Sequence, residues 1–260
     1  NSLLELQTNW ERIGSRLLIL KGDPIKLIPR LAELINVHSI FWNDNIEPYE
    51  QYRDTIIKEK LIKNNKQFYT FIDQLMIEPY KIRTNINQPY RVYGPFYRKW
   101  LNNIYETKLL NDNLMQSFTV SNKLVDLKDT ELLSIKESNL NYCINNPGES
   151  VNKLLLENKF LGEHICPCKP GEYASQRQLK LFINSGAIIS YKKGRDMPSK
   201  NGTSSLSAAL SLGTISCRAA WNGAQRSRIL APNQYQIDSI NTWIKELAWR
   251  EFYQNALINF

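Results

Sequence analysis

The stretch HSIFWNDNIEPYEQYRDTIIKEKLIKNNKQFYTFI, from His38 to Ile72, decides the fold class. It opens with the apolar run His38–Trp42, closes with the run Gln67–Ile72, and carries a helix-length segment from about Tyr49 to Ile62 between them. Short runs rich in aromatic and β-branched residues predict strands. Two strands joined through a helix predict a parallel pair with a right-handed crossover.

The residues before this stretch extend the same alternation. Arg16–Leu20 is a compact apolar run, which predicts a strand covered on both faces. We expect Asp23 to cap the helix that follows, with Pro24 in its first turn. Pro29 is expected to displace the start of this helix or to kink its first turn. Together these segments predict an α/β module with a parallel sheet.

The remainder of the chain has a different pattern. Residues 106–168 are rich in Asn, Leu and Ser and weakly periodic, whereas the pattern beyond them is helical, with helices expected at Ala174–Ile183 and Ile237–Ile258. We predict a partial α/β domain over residues 1–105, an interdomain connector over 106–168, and the first part of an all-α domain over 169–260. Both ends fall within helical patterns, so we expect them to lie inside a longer protein.

Composition limits the classes of function. The chain has 260 residues and a formal net charge of +8, which favours an anionic partner such as the phosphate backbone of a nucleic acid, although solubility alone also explains it. No apolar run approaches the length of about 20 residues that crosses a bilayer, so no membrane partner is expected. Cys166-Pro167-Cys168 has no second Cys or His pair at ligand spacing, and we predict no metal site. A reducing, cytoplasmic location and a monomeric state are expected.

The first polar cluster is the segment Gly202-Thr203-Ser204-Ser205-Leu206-Ser207. It precedes a short helical segment, Ala208–Leu212, that Gly213 is expected to end. We expect Thr203 or Ser204 to cap this helix, whose unpaired N–H groups would attract a phosphate. An ordinary Ser/Thr cap needs no ligand, so the structural interpretation stays open beside the functional one.

The second polar cluster lies on the last predicted helix. Glu246, Trp249, Arg250 and Tyr253 follow at i, i+3, i+4 and i+7 and share one face, with Trp243 one turn earlier. One interpretation is a routine Glu–Arg pair beside core tryptophans. The other is a ligand-binding face, because indoles stack on flat rings while carboxylates and guanidinium groups bind base edges or phosphates. The residues alone favour neither.

At these residues the chain resembles the DNA photolyase/cryptochrome family, and within it the cyanobacterial class I cyclobutane pyrimidine dimer photolyases. The resemblance covers nearly the whole chain, and five motifs that follow the family's order carry it: Gly14–Pro24, Trp42–Tyr49, Tyr93–Trp100, Tyr191–Ser207 and Glu246–Tyr253. It implies an incomplete Rossmann-like antenna domain, a connector, and the first part of a helical domain that binds FAD.

The resemblance also implies roles for individual residues. The flavin would contact seven positions: Tyr191, Thr203, Ser204, Ser205, Leu206, Ser207 and Trp243. DNA would contact Arg195, Glu246, Trp249, Arg250 and Tyr253, with Arg195 on a phosphate beside the lesion. Trp249 would stack on a pyrimidine of the flipped-out dimer, and Glu246 would hydrogen-bond its polar edge, which makes these two the implied catalytic residues. The implied activity is light-dependent repair of pyrimidine dimers in DNA by electron transfer from excited, reduced FAD.

The chain departs from the family's pattern at two positions that concern the antenna chromophore. Relatives that bind a deazaflavin carry an acidic residue where this chain has Asn45 and a lysine where it has Ser211. A folate antenna, or none, therefore stays open beside a deazaflavin. The chain alone is expected to be inactive. The alternatives are a cryptochrome-type blue-light receptor without repair activity and a nucleotide-binding protein without photochemistry.

Overall fold

The computed structural model describes residues 2–20, 22–107, 142–143 and 168–260. Contacts between Cα atoms divide the described chain into two compact units. The first contains residues up to Phe71 together with 142–143, and the second contains residues 72–107 and 168–260. Most of the predicted connector lies outside the described residues.

The first unit contains the predicted parallel pair of strands. Its helices are α1 (Ser2–Arg12), α2 (Pro24–Leu34) and α3 (Pro48–Lys63), and its strands are β1 (Ile19–Leu20), β2 (Ser39–Asn43), β3 (Gln67–Phe71) and β4 (Tyr142–Cys143). Strand β2 pairs with β3 in parallel, with Ser39 opposite Gln67 and Asn43 opposite Phe71. The expected strand–helix–strand unit of residues 38–72 is therefore confirmed.

The predicted first strand is wrong in length and in partner. Only Ile19–Leu20 forms a strand, and it pairs antiparallel with β4, Ile19 lying opposite Cys143. A short apolar run predicts a strand, but the sequence around it contains no information about which distant segment will pair with it. The alternation of elements therefore predicted a third parallel strand that the described residues do not form.

Helix α2 begins where the sequence predicts, despite the proline inside it. The Asp23 carboxylate accepts a hydrogen bond from the Ile25 N–H at 2.9 Å, and Pro24 is the first helical residue. Pro29 lies within the helix and does not displace its start. Because proline has no N–H, the Ile25 carbonyl loses its usual helical donor. The Lys60 ammonium group donates to that carbonyl at 3.1 Å instead.

The second unit is helical. Its α-helices are α4 (Tyr93–Glu106), α5 (Glu172–Asn184), α6 (Tyr191–Gly194), α7 (Ser207–Leu212), α8 (Cys217–Ile229) and α9 (Gln234–Asn259), with 3₁₀ turns at Pro79–Lys81 and Ile188–Ser190. The two predicted helices are confirmed, and each extends beyond its expected ends by one to three residues. Gly213 ends α7 at a φ of 71°, as expected for a left-handed C-terminal cap. No helix among the described residues is long and apolar enough to span a membrane.

Residues 72–107 belong to the helical unit rather than to the α/β unit. Phe96 and Trp100 of α4 are fully buried in the same core as Trp221 of α8 and Ile244 of α9. The prediction placed the boundary near residue 105, whereas the contacts place it between Phe71 and Ile72. The apolar residues of α4 suit a helix of either class, so the sequence pattern did not reveal which core they enter.

Candidate functional site

Two glycines allow close packing between the segments that contain most of the predicted flavin contacts. The Gly202 backbone lies so close to Gly194 that a Cβ atom on Gly202 would clash with the Gly194 carbonyl group. A Cβ atom on Gly194 would in turn lie 3.3 Å from the Gly202 Cα atom. This contact places the turn after Tyr191 directly against the start of the serine-rich segment.

The serine-rich segment is not the helix cap that the sequence predicts. The N-cap position of α7 is Leu206, whose side chain is buried, and neither Thr203 nor Ser204 caps the helix. Burial of Leu206 moves the helix start to Ser207, and Ser205 makes the turn with a φ of 52°. No described protein group hydrogen-bonds the hydroxyls of Thr203, Ser204, Ser205 or Ser207. They are therefore available as donors to a ligand.

Tyr191 and Trp243 lie in the core around one phenylalanine. The Phe182 ring centroid is 6.1 Å from that of Tyr191 and 5.3 Å from that of Trp243. Both predicted flavin contacts are more than nine-tenths buried. Burial raises the pKa of the Tyr191 hydroxyl, so the side chain stays neutral at physiological pH. The structure thus brings the two residues together as rigid, mostly apolar walls.

An ion pair joins Arg195, just after α6, to Glu246 on α9. A terminal guanidinium nitrogen of Arg195 hydrogen-bonds the Glu246 carboxylate, and both side chains are more than one-third exposed. The Arg195 guanidinium also lies over the Tyr191 ring, 5.5 Å from its centroid. This pair directly connects the predicted flavin-binding turn to the predicted lesion-binding helix.

Trp249 stacks on an aromatic residue that the sequence did not identify as part of the site. Its ring centroid is 3.6 Å from that of Tyr93, and the two planes differ by 5°. Tyr93 is held in place because its hydroxyl donates to the Lys245 carbonyl at 3.0 Å. Tyr253 is exposed and lies 5.6 Å from Trp249. A flat ring stacking on Trp249 would enter this aromatic cluster.

Arg250 has backbone partners that the sequence did not predict. One terminal nitrogen donates to the Gln74 carbonyl at 2.6 Å and the other to the Leu210 carbonyl at 3.4 Å. Its predicted contact with DNA stays a prediction, and these two hydrogen bonds give the side chain a structural role.

Glu251 is a buried carboxylate that the sequence analysis missed. It accepts hydrogen bonds from the Met76 N–H at 2.7 Å, the Ile77 N–H at 3.4 Å and the Trp100 indole N–H at 2.7 Å. Burial raises its pKa to about 7, and these donors partly oppose that shift. Its position could have revealed it, because a carboxylate at residue 251 falls on the same helical stripe as Ile244 and Ala248.

Arg250 and Glu251 belong to a row of side chains that fixes residues 73–79, which we call the anchored segment. Arg218 of α8 donates to the Asp73 carboxylate at 2.9 Å and to the Leu75 carbonyl at 3.4 Å. Asn255 of α9 donates to the Pro79 carbonyl at 3.4 Å. The anchored segment has little regular secondary structure, so these contacts satisfy backbone groups that no ladder would pair.

Comparison with known proteins shows which family the chain resembles. Residues 1–112 match the family described as DNA photolyase. The chain is 36% identical over 258 residues to a deoxyribodipyrimidine photo-lyase of Synechococcus, a match that covers 99% of this chain and 49% of that protein. It is 31% identical over 252 residues to an uncharacterized 31.6 kDa protein of another Synechococcus strain, covering 96% of this chain and 79% of that protein.

The chain belongs to the DNA photolyase/cryptochrome family. It spans about half the length of the Synechococcus photolyase, 49% of that protein. A bacterial class III photolyase from Agrobacterium tumefaciens matches with a TM-score of 0.69 and 26% identity, over 100% of this chain and 48% of that one. A Synechocystis cryptochrome matches with a TM-score of 0.71 and 18% identity over 100% of this chain and 49% of that one, which shows a shared fold alone. The predicted fold class is therefore confirmed.

The two positions that bear on the predicted antenna chromophore, Asn45 and Ser211, lie in separate units. The Asn45 side chain accepts a hydrogen bond from the Ile46 N–H at 3.0 Å. Ser211 is exposed on α7. Neither side chain carries a charge, so neither would form an ion pair with an antenna chromophore.

Proposed function

We propose that this chain carries part of the flavin and DNA sites of an enzyme that repairs cyclobutane pyrimidine dimers in light. The observation that carries the proposal is the Arg195–Glu246 pair, since it connects the turn after Tyr191, which packs on the serine-rich segment through Gly194 and Gly202, to the helix that presents Trp249. Several curated relatives named deoxyribodipyrimidine photo-lyase, aligned along 86–100% of this chain, support the same activity.

The residues present fit FAD. Four hydroxyls without partners among the described residues, on Thr203, Ser204, Ser205 and Ser207, would supply donors for a phosphate, and the buried side chains of Tyr191, Leu206 and Trp243 would supply apolar walls. When bound, reduced FAD would supply the excited-state electron that opens the cyclobutane ring. The protein would position the cofactor through the serine-rich turn and keep water away with the aromatic walls.

The residues beside this turn fit a flipped-out, damaged base. Trp249 offers an indole for stacking, and base–aromatic stacking is worth about 1–3 kcal/mol. The Glu246 carboxylate can accept a hydrogen bond from a pyrimidine ring N–H, which would hold the dimer in one orientation. Arg195 would leave Glu246 for a phosphate next to the lesion, and exposed Tyr253 would border the same surface. A damaged base costs less to extrude than a paired one.

The overall charge supports a DNA partner. The chain has 33 Lys and Arg against 25 Asp and Glu, a net charge of +8. Binding that depends on phosphate contacts releases counterions and weakens steeply with salt. We expect a soluble monomer in the cytoplasm, with a folate or deazaflavin antenna or none.

The test combines a spectrum with a repair assay. The longest protein that carries this chain would be purified, its absorption spectrum recorded, and ultraviolet-damaged oligonucleotide incubated with it under blue light and in darkness. Repair in light alone supports the proposal. A bound flavin without repair would instead indicate a cryptochrome-type receptor, and a protein without flavin would overturn both.

A single substitution tests the assignment of Glu246. Glu246→Gln should lower the yield of repaired dimers per absorbed photon while the flavin content per protein stays unchanged. Loss of flavin in this variant would contradict the assignment, because Glu246 is proposed to contact the lesion and not the cofactor. Glu172→Gln, an exposed carboxylate at the start of α5, is the matched control.

A further inference from the structure

The helical unit contains a cavity that no part of the proposed repair site uses. Its volume is about 440 Å³, and it lies among helices α4, α8 and α9. We propose that this cavity binds a small organic anion of the phosphate-ester class, such as a mononucleotide. The residues that carry the argument are Lys192, Trp221, Gln225, Arg228, Asp238 and Lys245.

Two donors in the cavity wall lack acceptors. The Trp221 side chain is 1% exposed, and its indole N–H has no hydrogen-bond partner among the described residues. The side-chain amide nitrogen of Gln225, one turn further along α8, is also buried and unpaired. Buried polar groups in folded proteins are almost always paired with protein, water or a ligand. Both nitrogens have less than 1 Å² of accessible surface, so a ligand acceptor would meet them only if the side chains of this wall moved to admit it.

The charged residues that line the cavity indicate which kind of acceptor it would bind. Lys192, Arg228 and Lys245 border it, and Asp238 is the only carboxylate among the lining residues that the structure describes. Asp238 already accepts a hydrogen bond from the Gln234 amide at 2.8 Å. Arg228 gives one hydrogen bond to the Tyr105 hydroxyl at 3.1 Å, and a guanidinium group has further donors to offer. Cations together with unpaired N–H groups suit the oxygens of an anion.

The size and the remaining walls indicate that the anion carries an organic group. A volume of about 440 Å³ falls in the range of small-molecule sites and far exceeds the needs of a single inorganic ion. Tyr97, Leu101 and Ile244 add aromatic and aliphatic surface to the lining. A phosphate ester with a flat apolar body uses both the cations and these walls.

The cavity uses a different set of α9 residues from the proposed DNA site. Asp238, Asn241, Thr242 and Lys245 line it at i, i+3, i+4 and i+7, so they share one face of the helix. The proposed lesion contacts are Glu246, Trp249 and Tyr253. Since no residue is common to both sets, the inference does not depend on the proposed function.

The experiment is a calorimetric titration of the full chain with three probes: adenosine monophosphate, adenosine and inorganic phosphate. The proposal predicts saturable binding of adenosine monophosphate that weakens as salt is raised. Adenosine and inorganic phosphate should each bind at least about tenfold more weakly, because each lacks one of the two recognised parts. Equal binding of adenosine, or no binding of adenosine monophosphate, would overturn it.

Two adjacent lysines provide a matched pair of variants. Lys192 lines the cavity, whereas the Lys193 ammonium lies over the Tyr235 ring, 5.4 Å from its centroid. Lys192→Gln should weaken binding of adenosine monophosphate, and Lys193→Gln should leave it unchanged. Equal weakening in both would mean a general effect of charge and would sink the proposal.

Trp221→Phe separates ligand binding from stability. The substitution removes the unpaired indole N–H and keeps an aromatic ring in the core. Any loss of stability should therefore come from ring size alone, while binding of adenosine monophosphate falls several-fold. Unchanged binding in a folded Trp221→Phe protein would show that the indole N–H does not meet the ligand. A short undamaged oligonucleotide that displaces the nucleotide would assign the cavity to the DNA-binding surface instead and overturn the proposal.

Discussion

Glu246 and Glu251 lie five residues apart on α9, yet their surroundings are opposite. The Glu246 side chain is 36% exposed and pairs with one arginine. Glu251 is 2% exposed and accepts three N–H hydrogen bonds from two other segments of the chain. Five residues rotate a helix by about 140° beyond a full turn, so neighbours in one sequence motif reach different environments.

This difference shows how a family motif divides between recognition and structure. A carboxylate that is partly exposed and held by a single exposed partner can exchange that partner for a ligand. A carboxylate with three fixed donors cannot do so without leaving those donors unpaired inside the protein. The proposed ligand contact of Glu246 is compatible with its surroundings, whereas Glu251, with Arg250, holds the anchored segment. The substitutions below test that division.

The largest effect is expected from Glu251→Ala. It leaves the N–H groups of Met76, Ile77 and Trp100 buried without an acceptor, and unpaired buried donors cost about 1–3 kcal/mol each. We expect a loss of about 3–5 kcal/mol in the stability of the helical unit, as found when one partner of a buried charged contact is removed. Hydrogen exchange of the Met76 and Ile77 amides measures it locally and should accelerate strongly.

The matched control at this position is Glu251→Gln. The amide oxygen can still accept from two donors, so exchange of the same amides should accelerate less than in Glu251→Ala. If Glu251→Ala exchanged no faster than the unmodified protein, the contrast between the two carboxylates would fail.

Burial of the Glu251 carboxylate also makes the stability of the protein depend on pH. The pKa of Glu251 rises from 4.5 to about 7 in the folded protein, so the folded state binds more protons than the unfolded state between these values. Stability must then fall as pH rises through this window, by up to about 3 kcal/mol. Urea midpoints measured from pH 5 to pH 8 should show the fall, and Glu251→Gln should reduce it. A stability that rises over this range equally in both proteins would mean that burial does not govern this carboxylate.

Trp249→Ala tests the proposed lesion-binding face of α9, which also carries Glu246. It should weaken binding of an oligonucleotide that carries a pyrimidine dimer by about 1–3 kcal/mol, because a stacking partner is lost. Fluorescence anisotropy with damaged and undamaged oligonucleotides measures the difference. Trp249→Phe keeps a ring against Tyr93 and should retain part of the preference for damage. Unaltered affinity in the alanine variant would remove Trp249 from the lesion site.

The sequence predicted what local patterns determine. The β2–α3–β3 unit follows from two apolar runs around a helix. Asp23 caps the start of α2, and Gly213 ends α7, as the chemistry of each residue favours. Distant pairing was not predictable: β1 pairs with β4, a segment more than a hundred residues away. Tertiary packing decides which distant segments pair, and the hydrophobic periodicity of a sequence does not specify that packing.

The candidate site divides in the same way. The shared face of Glu246, Trp249 and Tyr253 followed from helical spacing alone. The stack of Tyr93 on Trp249 and the three donors around Glu251 come from segments more than one hundred and fifty residues earlier in the chain. The failed cap at Thr203 or Ser204 has a similar cause, because burial of Leu206 in the tertiary core overrode a local preference.

The smallest effect on stability is expected from breaking the Arg195–Glu246 ion pair. This test bears most directly on the contrast between Glu246 and Glu251. Exposed ion pairs contribute about 0.2–1 kcal/mol, so a double-mutant cycle with Arg195→Gln and Glu246→Gln should give a coupling energy in that range and less at high salt. Urea unfolding of the four proteins measures it. A weak pair is what the proposed function requires, since Arg195 must leave Glu246 when a phosphate arrives. A coupling of several kcal/mol would place Glu246 beside Glu251 among the structural carboxylates, and a ligand could not then separate it from Arg195 at low cost.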